Sequence, residues 1–130
     1  MTTAITVLVV DDEFLIREDI ASILSGGGYT VVSAASGEEA IGLLEADEAD
    51  YCALVTDVNL GSGQPTGWDV ARQARERVAT LAVVYVTGDG AQDWAAMGVP
   101  NSMVLSKPFA PAQLVTAVSQ LLNAGPGPAS

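Results

Sequence analysis

The stretch Ile5-Thr6-Val7-Leu8-Val9-Val10-Asp11-Asp12-Glu13 decides the fold. Its first part is a continuous, mostly β-branched run with no polar alternation. Such a run suits a strand buried on both faces, as parallel sheets require. Acids come directly after it. Outward from there, Ile16, Ile20, Ile23 and Leu24 recur at helical spacing, and Gly26-Gly27-Gly28 ends that helix. Tyr29–Ala34 reads as a second strand. Ser36 and Glu39 have the spacing of a capping box and open a helix carrying Ala40, Ile41 and Leu44. Tyr51–Thr56 is a third strand. The glycine- and proline-containing loop Gly61–Gly67 leads into a helix with Ala71, Ala74 and Val78 on one face. Leu81–Val86 is a fourth strand, and a weaker helix covers Ala91–Met97. Met103–Ser106 ends a fifth strand. Pro111–Asn123 is a last amphipathic helix, with Leu114, Val118, Leu121 and Leu122 on its apolar side.

Strands alternating with helices in this way predict an α/β fold with a doubly wound five-stranded parallel sheet and five helices. Right-handed crossovers put the carboxyl end of every strand on one edge, where open sheets of this kind bind ligands. The residues just after each strand therefore matter most. Strand one ends in Asp11-Asp12-Glu13, strand three in Asp57, strand four in Thr87-Gly88, and strand five in Lys107-Pro108. Converging carboxylates repel, and a hard divalent cation with oxygen ligands relieves that repulsion. Lys107 is the only lysine of the chain. An ammonium and a hydroxyl beside metal-bound carboxylates are what an incoming phosphoryl group needs. A carboxylate oxygen can attack phosphorus to give an acyl phosphate. Each residue alone has a plainer reading: Asp11 and Asp12 as a helix cap, Asp57 as a loop acid, Thr87 as a turn residue, Lys107 as a solvated lysine. Their arrival together at strand ends favours a site.

Composition narrows the classes. The 130 residues hold 16 acids against 5 bases, a formal charge of −11 and a sequence pI near 4.1. That balance speaks against nucleic acid and anionic membrane as partners. Hydrophobic residues make up 49% and mean hydropathy is +0.35, enough for a buried core. There is no histidine, which excludes Ser-His-Asp and Cys-His catalysis and any histidine-ligated metal. The single cysteine, Cys52, lies in an apolar run and reads as a small buried hydrophobe. No signal peptide is evident, and no apolar run reaches the roughly 20 residues of a membrane span. A cytoplasmic protein is the expectation.

The motifs Val9-Val10-Asp11-Asp12-Glu13, Leu54-Val55-Thr56-Asp57-Val58-Asn59-Leu60, Val86-Thr87-Gly88 and Ser106-Lys107-Pro108-Phe109 resemble those of response-regulator receiver domains of two-component signalling. The resemblance covers about residues 4–123, leaving 124–130 as a flexible tail. It implies the flavodoxin-like receiver fold with strand order 2-1-3-4-5. It implies that Asp57 is the phosphoacceptor and that Lys107 pairs with the phosphoryl group. Thr87 would be the switch hydroxyl. Mg²⁺ would be held by Asp12 and Asp57, by Asp11 largely through water, and by the backbone carbonyl of Asn59. The Lys107–Pro108 bond would be cis.

The resemblance also implies a phosphohistidine donor; this chain has no histidine, so the donor would be another protein, a histidine kinase or histidine phosphotransfer protein, or a small phosphodonor. With no DNA-binding module after residue 123, the expected output is contact with a downstream protein target, by a stand-alone receiver. Met1 and the short tail favour an independent gene over a piece of a hybrid kinase. Catalysis would extend only to phosphorylation and dephosphorylation of the chain's own aspartate.

Two departures from the family stand out. Val104 occupies the position where the family usually has an aromatic ring, and the loop after Asp57 is longer than usual. Of Phe14, Leu15, Pro108 and Phe109 beside the site, one or two are expected to pack into the core and the others to form an apolar docking patch for kinase or phosphotransfer helices. Trp94 is a candidate reporter of the switched face. The rival readings are a pseudo-receiver that only binds partners, an aspartyl-nucleophile phosphatase and a flavodoxin-like cofactor binder. The phosphatase lacks its second acid, because Asn59 stands there, and the acids after strand one would repel a cofactor phosphate.

Overall fold

Strand pairing follows the apolar runs. In the computed structural model, residues 5–61, 65–89 and 91–124 are described. The elements are β1 (Thr6–Val10), α1 (Phe14–Gly26), β2 (Thr30–Ala34), α2 (Gly37–Ala46), β3 (Tyr51–Asp57), α3 (Gly67–Arg77), β4 (Ala82–Thr87), a 3-10 turn (Ala91–Asp93), α4 (Trp94–Met97), β5 (Ser102–Ser106) and α5 (Pro111–Ala124). All pairings are parallel, in the order β2-β1-β3-β4-β5. The expected sheet and its order are thus observed. Ile5, Tyr29 and Leu81, read as strand residues, fall just before their strands: the apolar runs are longer than the ladders. The fifth strand begins at Ser102, and α5 continues through Ala124, the first residue of the expected tail. Residues 125–130 of that tail lie outside the described residues.

Alternation along the strands divides the core in two. Leu8, Val10, Leu54, Val83 and Tyr85 face α2 and α3, against Leu44, Trp68 and Ala71. Val7, Val9, Val55, Val84 and Val86 face α1 and α5, against Ile20, Leu24, Leu114 and Val118. The central strands are covered on both sides, which is why they lack polar alternation.

Local chemistry sets the helix ends. Ser36 caps α2 by accepting from the Glu39 N–H at 3.0 Å, while Glu39 Oε1 reaches past Ser36 to the Ala35 N–H at 2.7 Å. A complete capping box, Thr66 with Asp69, opens α3. Asp69 also pairs with Arg72 one turn on. Its carboxyl is held below its ordinary pKa, first by the Thr66 N–H. α4 keeps only one turn, with Pro100 close behind it.

One expectation fails here. Cys52 is partly exposed rather than buried. Thr6 pairs with Tyr51, but Val7 pairs with Ala53, so the ladder shifts at this point. Cys52 is the extra residue of that bulge and leaves the alternation that buries its neighbours.

Two glycines make opposite predictions. Gly67 begins α3 against the end of β3: its N–H donates to Val58 O at 2.9 Å, and a Cβ there would overlap the Asp57 carbonyl. Gly42 sits inside α2 with open space where a Cβ would be. Gly67→Ala is expected to cost about 1–3 kcal/mol, and Gly42→Ala to add about 0.5–1 kcal/mol. Urea denaturation of both variants checks this; equal effects would contradict the packing described.

Candidate functional site at the carboxyl edge of the sheet

β1 and β3 are neighbours at the centre of the sheet, so their carboxyl ends bring Asp11, Asp12 and Asp57 together. One carboxylate oxygen from each lies within 4.8 Å of the other two. Their environments differ: Asp11 is fully buried, Asp57 is nearly so at 6% exposure, and Asp12 is exposed. Hydrogen bonds hold the buried pair. Asp11 Oδ1 accepts from the Glu13 N–H at 2.9 Å, and Asp57 Oδ1 accepts from the Asn59 N–H at 3.2 Å.

Lys107 reaches in from the end of β5. Its Nζ donates to Asp57 Oδ2 at 3.1 Å and to Asp11 Oδ2 at 3.5 Å. The Lys107 N–H donates to Thr87 O at 2.8 Å, which docks the start of the lysine loop on the end of β4. The Lys107–Pro108 peptide is cis, as expected. Thr87 is buried as the last residue of β4. Asp12, Asp57, Asn59 and Lys107 border an open cleft, together with Gly61 and Gly88.

The charges respond to burial. Burial pushes the Asp57 carboxyl above its ordinary pKa; the hydrogen bond and charge of Lys107 oppose this, while Asp11 reinforces it. Burial also works against the Lys107 ammonium. The bond to Asp57 and the charges of Asp57 and Asp11 outweigh it, so the lysine is held above its ordinary value. Lys107 therefore stays charged at neutral pH. Three clustered carboxylates offer hard oxygen donors and excess negative charge, a donor set that fits Mg²⁺.

The response regulator receiver domain family matches residues 7–119. The chain belongs to this family. Its receiver sequence is 35% identical over 119 residues to the alginate biosynthesis transcriptional regulatory protein AlgB of Pseudomonas aeruginosa, covering 90% of this chain and 26% of AlgB. It is 33% identical over 122 residues to the response regulator MprA of Mycobacterium ulcerans, covering 92% of this chain and 51% of MprA. The chain thus spans about half or less of these curated relatives. Among solved structures, a response regulator receiver protein from Sinorhizobium medicae WSM419 superposes with a TM-score of 0.89 at 45% identity, covering 93% of this chain and 96% of that one. Receiver domains are phospho-accepting switches that work with histidine kinases and phosphotransfer proteins.

Of the site residues expected in this receiver, Asp11, Asp12, Asp57 and Lys107 come together directly. Asn59 joins through its N–H, and Thr87 through its carbonyl. Other supports were not foreseen. Arg17 Nη1 donates to Asp11 O at 2.8 Å, and its guanidinium lies 5.4 Å from the centre of the Phe14 ring. Gly67 seats α3 on the Asp57 backbone. The Thr66-x-x-Asp69 spacing could have marked that helix start; nothing local marks Arg17 as a ligand of the β1–α1 loop. Phe14 and Leu15 are 61% and 78% exposed, as a docking patch requires, and Pro108 is exposed. Phe109 packs partly into the α1–α5 core, as expected of one or two of the four. Of the loop after Asp57, residues 62–64 lie outside the described residues.

A raised Asp57 pKa means that the folded state binds the proton more tightly than the unfolded state. Folding stability therefore falls as pH rises through the carboxylate range, and the deficit persists at neutral pH. In metal-free buffer at pH 7, Asp57→Asn is expected to melt at a higher temperature than the wild type, with the gap closing as the pH is lowered. Thermal melts across this range test it; a lower Tm for Asp57→Asn at pH 7 would contradict it.

Proposed function

We propose that this receiver takes a phosphoryl group from a phosphohistidine donor onto Asp57 in a Mg²⁺-dependent reaction and signals by protein contact. The observation that carries the reading is the Lys107 ammonium held on both Asp57 and Asp11 beside a third carboxylate. An Asp57 carboxylate oxygen forms the bond to phosphorus while the donor's P–N bond breaks. The electron pair leaves on the imidazole nitrogen, which takes a proton from solvent. Lys107 then exchanges its contact with the carboxylate for one with a phosphoryl oxygen. Asp11, Asp12, Asp57 and the Asn59 carbonyl would hold Mg²⁺, which supplies charge neutralisation and orientation of the phosphoryl oxygens. The Thr87 hydroxyl serves as the switch group that turns toward the phosphoryl group.

The phosphoryl group adds about −1.5 to −2 charges at a buried position. The α4–β5–α5 face is the output surface in this reading, and a downstream protein is its target. The net charge of −11 favours a protein over nucleic acid or membrane. Among the described residues no helix is long and apolar enough to cross a membrane. Catalysis is confined to the chain's own aspartyl phosphorylation and dephosphorylation.

Intact mass after incubation with acetyl phosphate and Mg²⁺ tests the central step. One added phosphoryl group on the wild type and none on Asp57→Asn is expected; no adduct on either, or an adduct on both, would overturn the assignment. The exposed Phe14 and Leu15 supply the docking patch. Phe14→Ala should slow transfer from a phosphohistidine protein by about tenfold. Its effect on uptake from acetyl phosphate, which has no helix to dock, should be smaller; equal slowing from both donors would remove Phe14 from the patch.

A further inference from the structure

A second set of side-chain hydrogen bonds lies on the α2–α3 face of the sheet. Tyr85 is fully buried on β4, in register with Thr56, the residue before Asp57. Its ring centre is 4.6 Å from that of Trp68, with the planes tilted by 53°. Trp68 follows Gly67, which is wedged against the backbone of Asp57 and Val58. Packed contacts therefore run without a gap from the phosphoacceptor backbone to the Tyr85 ring.

The Tyr85 hydroxyl continues the series. It accepts from the Val99 N–H at 3.1 Å. Ser102 Oγ donates to Val99 O at 2.6 Å, and Trp94 Nε1 donates to Ser102 Oγ at 2.9 Å. Both backbone polar groups of Val99 are thus held by side chains, not by a strand ladder. From α3, Arg75 donates to Leu81 O at 2.8 Å, Pro100 O at 2.7 Å and Asn101 O at 3.0 Å. The connector between α4 and β5 consequently takes its position from β4 and α3. Those are the two elements that abut Asp57 and Val58: β4 by strand pairing and α3 through Gly67. α4 itself has only four residues and buries none of them. The partly buried Val104 packs in the same cluster.

We propose that Tyr85 is a positioning residue of the switch. Through the Trp68 stack and its bond to Val99, it couples the state of Asp57 to the connector 98–101 and to Trp94. The proposal rests on the reading of Asp57 as phosphoacceptor. A change in the β3 end or the first turn of α3 shifts Tyr85. The Val99–Ser102–Trp94 bonds then re-form or break as a unit, and the α4 end of the output face moves with them.

Two measurements on the same samples test this: intact mass, and deuterium exchange of the segment 94–102, with and without acetyl phosphate and Mg²⁺. In the wild type, phosphoryl uptake is expected to change exchange in this segment by about fivefold or more. Tyr85→Phe should still take up the phosphoryl group but show the same exchange with and without it. Ser102→Ala leaves the β4 core intact and should show the same uncoupling, so the test survives if Tyr85→Phe folds poorly. A purely structural role would speed exchange equally in both states and keep the wild-type ratio in both variants; that result overturns the proposal. So does an unchanged segment 94–102 in phosphorylated wild type. A wild type that takes up no phosphoryl group fails the phosphoacceptor reading itself, and the coupling falls with it.

Discussion

The Lys107 ammonium shared between Asp57 and Asp11 is the interaction around which the carboxyl edge of the sheet is arranged. A parallel sheet gathers all its carboxyl ends on one edge, and here two adjacent central strands end in acids. One of those acids is completely buried and another is nearly so. Without a cation, such a pair repels and loses hydration together. The lysine supplies the charge, and its own position is inherited from β5, whose end is docked on Thr87 O. In the proposed reaction the same contact serves the chemistry, because an ammonium held on two carboxylates would be handed to a phosphoryl oxygen arriving between them.

The surrounding fold holds this edge in place. β1, β3 and β4 are clamped between two apolar layers, so the ends of the strands cannot drift apart. The β1–α1 loop is tied by the Glu13 N–H on the Asp11 carboxylate and by Arg17 on the Asp11 carbonyl. The β3 end is tied by the Asn59 N–H, by the Thr56 hydroxyl on the Asp57 carbonyl, and by α3 seated through Gly67. Asp12 alone remains open to solvent among the three acids. Asp11 and Asp57 are thus held in place while the rim of the site stays open.

Much of this was legible because chemistry-bearing residues directly follow apolar runs. Asp11, Asp57 and Lys107 could be placed on one edge from strand alternation alone, once the sheet was known to be parallel. The exposure of Phe14 and Leu15 was legible in part, since they precede the buried positions Ile20 and Leu24 of the same helix. Phe109 carried the same apolar signal but turned into the core; side-chain direction after a strand is not written in spacing. Cys52 was misread because a bulge depends on the partner strand's register, which local sequence does not contain. Arg17, Gly67 and the Tyr85–Val99–Ser102–Trp94 bonds were missed for a related reason. Each acts on the backbone of a segment distant in sequence or reached only after folding, and none breaks a local pattern.

The most direct test of the central claim is chemical mapping of the acceptor: borohydride reduction of the phosphorylated chain, followed by peptide sequencing by mass spectrometry. Reduction converts an aspartyl phosphate to homoserine and leaves free carboxylates alone. The geometry predicts homoserine at residue 57 and nowhere else. Homoserine at residue 11 or 12, or its absence from a chain that carries a phosphoryl group, would contradict the assignment of Asp57 as the acceptor.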